Sequence, residues 1–212
     1  MAYLILGGSF NPVHAGHLIM AEELAAEFSC KRVVLVPARV PPHKDLIDDP
    51  GPALRVAMLR AATAGDGLFE IEDCELTRDG PSYTVDTLLH LRERYPGEEA
   101  FLAIGDDLAG GFPSWREPER IVELARLVIA RRPSAKARRG GAEDGGPEDG
   151  GAEGDGVPAG FPYPYRRGHN SPIPISSSMV RERIRERGAW RRLVPEGAAR
   201  IIADGRLYGY CP

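Results

Sequence analysis

His14 and His17 stand three residues apart, where a glycine turn gives way to a helical pattern. That spacing sets both imidazoles on one side of a helix start. Just before them the apolar run Tyr3–Leu6 reads as a buried strand that stops at Gly7-Gly8. A strand, a glycine turn and a helix N-terminus together form an anion site. The first-turn N–H groups lack internal partners, and the helix dipole favours negative charge there. Two imidazole donors at the same place point to a polyphosphate. Plainer readings compete. His-x-x-His is also half of a zinc site, but a third ligand would be needed, and no Cys-x-x-Cys or His-Glu-x-x-His accompanies it. Both histidines could also be purely structural.

The elements that must position this pair follow from periodicity. Runs rich in β-branched and aromatic residues recur at Tyr3–Leu6, Val33–Val36, Phe69–Ile71, Phe101–Ile104 and Leu127–Ala130. Helical patterns fill most gaps: Leu18, Ala21, Leu24, Ala25 and Phe28 form one stripe, and Leu54 to Ala64, Val85 to Tyr95 and Glu117 to Ala125 read alike. Alternating strands and helices imply right-handed crossovers and a parallel sheet covered on both faces. Ligands bind such sheets at the carboxyl edge. The turn after Leu6, Pro41-Pro42-His43-Lys44 after Val36, and Gly105-Asp106-Asp107 after Ile104 all fall there. The C-terminal part reads as helical, with Ser178 as the expected N-cap of one helix and a second starting near Pro195-Glu196.

Composition bounds the rest. A length of 212 residues and an apolar fraction of 42% fit one packed domain. A net charge of −4 argues against a general nucleic-acid binder. Arginines do cluster as Arg181, Arg183, Arg185, Arg187, Arg191 and Arg192, but Glu182 and Glu186 interleave with them, as on a solvated helix face. Cys30, Cys74 and Cys211 are few, odd in number and far apart, which fits reduced thiols in a cytoplasm. No basic region precedes the first apolar run, so no secretory leader is expected, and no run approaches the ~20 residues that span a bilayer. From about 135 to 160 glycine and acids dominate and bulky apolar residues nearly vanish. That stretch reads as a mobile insert in the domain, since it buries too little surface to offset its ordering entropy.

The string Gly-Gly-Ser-Phe-Asn-Pro-Val-His-Ala-Gly-His resembles the signature of the nucleotidylyltransferase superfamily, His-x-Gly-His or Thr-x-Gly-His, here His14-Ala15-Gly16-His17. Further segments narrow the resemblance to the bacterial nicotinate-nucleotide adenylyltransferases. These are Pro41-Pro42-His43-Lys44, Gly80 through Leu88, Ile104 through Leu108 with Trp115, Ile175 through Arg181, and Leu193-Val194-Pro195 through Tyr208. The resemblance implies a Rossmann-like, doubly wound α/β sheet with a helical C-terminal part. It also implies transfer of AMP from ATP to nicotinic acid mononucleotide, with release of pyrophosphate. ATP would arrive as its Mg2+ complex, the ion held by phosphates and water rather than by a protein metal site. The expected partners are these two nucleotides, with no nucleic acid and no membrane; a homo-oligomer is compatible with the sequence.

Such a reaction needs no general base, because the attacking phosphate oxygen is already anionic. It needs alignment and charge neutralisation. By the resemblance, His14, His17 and Arg181 serve the reacting phosphates. Gly8, Ser9, Phe10, Gly105, Asp107, Ser176, Ser177 and Ser178 contact ATP. Lys44, Tyr83, Thr84, Trp115 and Arg132 contact the mononucleotide. Each has a bland counterpart: Lys44 as a surface lysine, Asp107 as a turn residue, Trp115 as core, Arg132 as a sheet cap. Asn11 stands where many members carry Asp, and Ser178 where Thr is usual. A phosphopantetheine or nicotinamide mononucleotide adenylyltransferase of the same fold, or a non-catalytic nucleotide sensor, are the competing readings.

Overall fold

A computed structural model describes residues 1–40, 47–133 and 157–212. Six parallel strands form one sheet: β1 (Ala2–Gly8), β2 (Arg32–Pro37), β3 (Phe69–Ile71), β4 (Glu99–Gly105), β5 (Arg126–Ala130) and β6 (Tyr165–Arg167). Their order is β3-β2-β1-β4-β5-β6. The direction of winding therefore reverses between β1 and β4, and a crevice opens at their carboxyl ends.

The helices are α1 (Ala15–Glu27), α2 (Pro52–Ala62), α3 (Cys74–Thr77), α4 (Thr84–Arg94), α5 (Asp106–Ala109), α6 (Pro118–Leu124), α7 (Ser177–Arg185) and α8 (Glu196–Asp204). Strand alternation splits β1 between two cores. Leu4 and Leu6 join Leu24 of α1, Leu59 of α2, Val180 of α7 and Ile202 of α8 on one face. Tyr3 and Ile5 join Leu88 of α4 and Ile121 of α6 on the other. Burial on both faces explains why these strands read as continuous apolar runs rather than alternating ones.

All five strands expected from composition are present, and β6 is an addition. Its residues Tyr165-Arg166-Arg167 carry no aliphatic run, and two of the three are exposed, as befits the edge next to β5. The 135–160 reading falls almost wholly outside the described residues; of that stretch, 157–160 are described. The start of α7 is a correction. Ser176, not Ser178, is the N-cap: its backbone is extended (φ −133, ψ 154) and its Oγ accepts the Met179 N–H at 3.2 Å. Ser178 lies inside the helix, where its own backbone is already helical.

Candidate active site

The chain leaves β1 at Gly8, takes a left-handed step at Phe10 (φ 46) and reaches His14, the N-cap of α1, in an extended conformation. The two imidazoles stack, with centroids 3.6 Å apart and planes 25° off parallel. The edge of the Phe10 ring supports His17 at 5.1 Å. The His14 backbone N–H donates to His17 Nδ1 at 3.2 Å. An amide N–H can only donate, so Nδ1 is the bare acceptor and neutral His17 carries its hydrogen on Nε2. His14 is 5% exposed, and its Nδ1 is buried without a hydrogen-bond partner. Burial first, and the nearby Arg132 charge second, lower its pKa to about 3, so the ring is neutral at physiological pH. A Cβ at Gly16 would sit 3.2 Å from His14 Nδ1 and 3.3 Å from Cε1, which is the physical reason for glycine between the histidines. Among the described residues the only trio with ligand atoms close together is Glu72, Cys74 and His90, which contains neither histidine of the pair.

Arg181 reaches this turn from α7. It is buried, and its Nη1 donates to the Asn11 carbonyl at 2.8 Å. Asn11 is itself buried, donating to Ile47 O and accepting from Tyr208 Oη at 2.8 Å. An amide serves there as both donor and acceptor, which a carboxylate could not do. Ser177 Oγ donates to Pro12 O at 2.9 Å, and Ser178 Oγ lies 3.5 Å from Arg181 Nη2. The Ser177 hydroxyl thus ties α7 to the histidine turn, while that of Ser176 caps the helix.

A cavity of about 330 Å³ opens at the crevice between β1 and β4. Gly8 and Ser9 line one side, and Gly105 and Arg132 another. A Cβ at Gly105 would fall 2.4 Å from Asp107 Oδ1 and 2.6 Å from Arg132 Cδ, so only glycine lets that pair close over the strand end. Arg132 Nη1 meets Asp107 Oδ2 at 3.0 Å, and the Arg132 N–H donates to Asp106 Oδ2 at 3.2 Å. Tyr83, Thr84 and Trp115 form a third wall. Trp115 is half-buried, with its ring 5.1 Å from that of Phe112. The Arg116 guanidinium lies over the Tyr83 ring at 4.8 Å and within 4.0 Å of Asp86. Tyr83 is the N-cap of α4, and no side chain caps that helix. Ser82 Oγ accepts the Arg39 N–H at 3.0 Å, tying the chain after β2 to the start of α4.

Seven of the expected contact residues therefore line one cavity: Gly8, Ser9, Tyr83, Thr84, Gly105, Trp115 and Arg132. Phe10, His14, His17, Asp107, Arg181 and the three serines do not line it. Asp107 touches the cavity through Arg132, whose charge is also felt by His14. Lys44 lies outside the described residues. Sequence reading missed Ser82, Arg116 and Arg55. The last is wholly buried on α2 although its position reads as an ordinary helical arginine.

The cytidylyltransferase-like family model matches residues 5–183. A probable nicotinate-nucleotide adenylyltransferase of Geobacter sulfurreducens is 39% identical, with 97% of each chain covered. One of Borreliella burgdorferi is 33% identical, over 98% of this chain and 97% of its own. Among solved structures, Plasmodium falciparum nicotinic acid mononucleotide adenylyltransferase complexed with NaAD superposes with a TM-score of 0.71 at 19% identity, covering 99% of this chain and 98% of that one. That likeness establishes the shared fold, and the full-length identity to the bacterial proteins establishes kinship. The chain belongs to the nicotinate-nucleotide adenylyltransferase family, within the cytidylyltransferase-like group.

Proposed function

We propose that the protein transfers AMP from ATP to nicotinic acid mononucleotide, giving nicotinic acid adenine dinucleotide and pyrophosphate in NAD biosynthesis. The observation that carries this reading is a stacked His14–His17 pair on the turn that follows Gly8 and Ser9, two residues that line a cavity also walled by Trp115, Thr84 and Arg132. One end suits phosphates and the other a flat, charged ring.

In the step proposed, a phosphate oxygen of the mononucleotide attacks the α-phosphorus of ATP. A new P–O bond forms, the bond to the bridging α–β oxygen breaks, and its electron pair leaves on pyrophosphate. Neutral His17 donates from Nε2 to the α-phosphate as charge builds there. Arg181, anchored through Nη1 on Asn11, supplies fixed positive charge beside the turn for the departing phosphates. ATP enters as its magnesium complex, the ion belonging to the substrate. Asp106 and Asp107 are engaged by Arg167 and Arg132, and Glu75, the carboxylate that lines the cavity, accepts from Thr87 Oγ1 at 2.6 Å.

The acid form of the pyridine fits better than the amide. With no side-chain cap, the N-terminus of α4 offers its first-turn N–H groups from Thr84 onward and the positive dipole end, on the same wall as Trp115; the Tyr83 N–H is spent on Pro81 O at 3.1 Å. A carboxylate accepts those donors, whereas a carboxamide turns its own NH₂ on one of them. The Asp86 carboxylate on the same helix would oppose this, but Arg116 stands against it. Mass analysis of the product from ATP with nicotinic acid mononucleotide, and separately with 4′-phosphopantetheine, tests the reading. A dinucleotide from the first alone supports it. Product from phosphopantetheine alone, or ATP binding with no product, overturns it.

A further inference from the structure

Arg55 is the largest side chain with no exposed surface, and none of the chemistry above uses it. It extends from α2 beneath the carboxyl edge of the sheet. Its Nη1 donates to Ser9 O and to Ala38 O, each at 2.8 Å. Its Nε donates to Asp49 Oδ1 at 3.0 Å, and the same carboxylate oxygen accepts the Gly51 N–H at 3.2 Å at the start of α2. One guanidinium therefore joins the turn after β1, the turn after β2 and the residues that open α2. Ser9 and Ala38 both line the substrate cavity. The Ala38 N–H also donates to Gly8 O at 2.9 Å, so the two turns are bonded directly and through Arg55.

Burying a guanidinium is costly, and here the burial is incomplete in its compensation: Nη2 is buried with no hydrogen-bond partner. An apolar side chain in the same space would avoid that cost. It could not bond the carbonyl oxygens of Ser9 and Ala38 and so hold the two turns together.

We propose that Arg55 is a positioning residue for adenylyl transfer, fixing the phosphate-facing turn Gly8–Phe10 against the turn after β2 before substrates arrive. This rests on the adenylyltransferase reading. The planar fork is essential to it, because a single ammonium cannot serve two carbonyls and Asp49 in one plane.

Steady-state kinetics and ATP titration calorimetry on wild type, Arg55→Lys and Asp49→Asn test the proposal, with folding checked by circular dichroism and melting. Arg55→Lys is expected to lower kcat at least tenfold per folded molecule and weaken the Kd of MgATP at least threefold. The KM for the mononucleotide should stay within threefold, since the hydrogen bonds of Arg55 go to Ser9, Ala38 and Asp49. Folded Arg55→Lys with kcat and Kd within threefold of wild type overturns the proposal, as does an equal rise in both KM values with kcat unchanged. Should Arg55→Lys not fold, Asp49→Asn decides: a fall in kcat with the mononucleotide KM unchanged supports it, and wild-type kcat overturns it. Wild type that makes no dinucleotide sinks the functional reading instead, and the ATP Kd still judges Arg55.

Discussion

Replacing His17 separates two jobs that one imidazole does. Its Nδ1 accepts the His14 N–H at 3.2 Å, an anchor for the start of α1, and its Nε2–H is the donor proposed for the phosphate. His17→Ala removes both. Loss of the anchoring bond costs about 1 kcal/mol, as for a lost N-cap. In a protein of this size that lowers Tm by roughly 2–4 °C. Loss of one preorganised donor at developing charge costs roughly 10²-fold or more in kcat, about 2.7 kcal/mol. His17→Asn is the sharper variant. Its Oδ1 occupies nearly the place of Nδ1 and can accept the His14 N–H, but nothing replaces Nε2. The expected result is a Tm close to wild type with kcat still down roughly 10²-fold. Pyrophosphate release at saturating ATP and mononucleotide, beside a thermal melt, reads both quantities. His17→Asn within threefold of wild-type kcat, at normal Tm, would refute the donor role.

Trp115→Ala should raise the KM for the mononucleotide by about 1–3 kcal/mol's worth of lost stacking while leaving that for ATP nearly unchanged; equal effects on both would make Trp115 a core residue. Gly16→Ala drives a Cβ to 3.2 Å from His14 Nδ1 and should reduce kcat roughly tenfold with little change in Tm; an unaltered kcat would show that His14 placement is slack. His14 also makes a stability prediction. Its folded pKa is lowered to about 3, so between the ordinary histidine value and pH 3 the unfolded chain binds one more proton than the folded one. Stability from this group is therefore lost as pH falls, by about 2 kcal/mol between pH 7 and 5. Urea unfolding of wild type and His14→Asn at the two pH values reads this; if the variant loses as much as wild type, His14 is not held neutral by the fold.

Much of this architecture is legible in the residues. Strands β1 to β5 are apolar runs ending in Gly or Pro or leading into charged turns, and their order along the chain places the glycine turn, Gly105 and Arg132 at one edge. The rest depends on distant partners. Strand β6 exists because β5 offers an open edge to Tyr165-Arg166-Arg167, not because those residues favour a strand. Three serines in a row give no hint that Ser176 caps α7, since the choice lies in its extended backbone. Arg55 resembles any surface arginine of an amphipathic helix until two loops, from residues 46 and 17 positions away, bring their carbonyls to it. The Arg132–Asp107 pair was likewise invisible as a pair, though each residue was singled out alone.

The chemistry proposed for the protein is adenylyl transfer to the acid form of a pyridine mononucleotide. It is tested most directly by kcat/KM for pyrophosphate release with ATP and either nicotinic acid mononucleotide or nicotinamide mononucleotide, measured side by side. A site built on the first-turn N–H donors of α4 predicts the acid to be preferred by roughly 10²-fold or more. Comparable values, a preference for the amide, or no release with either would contradict the account.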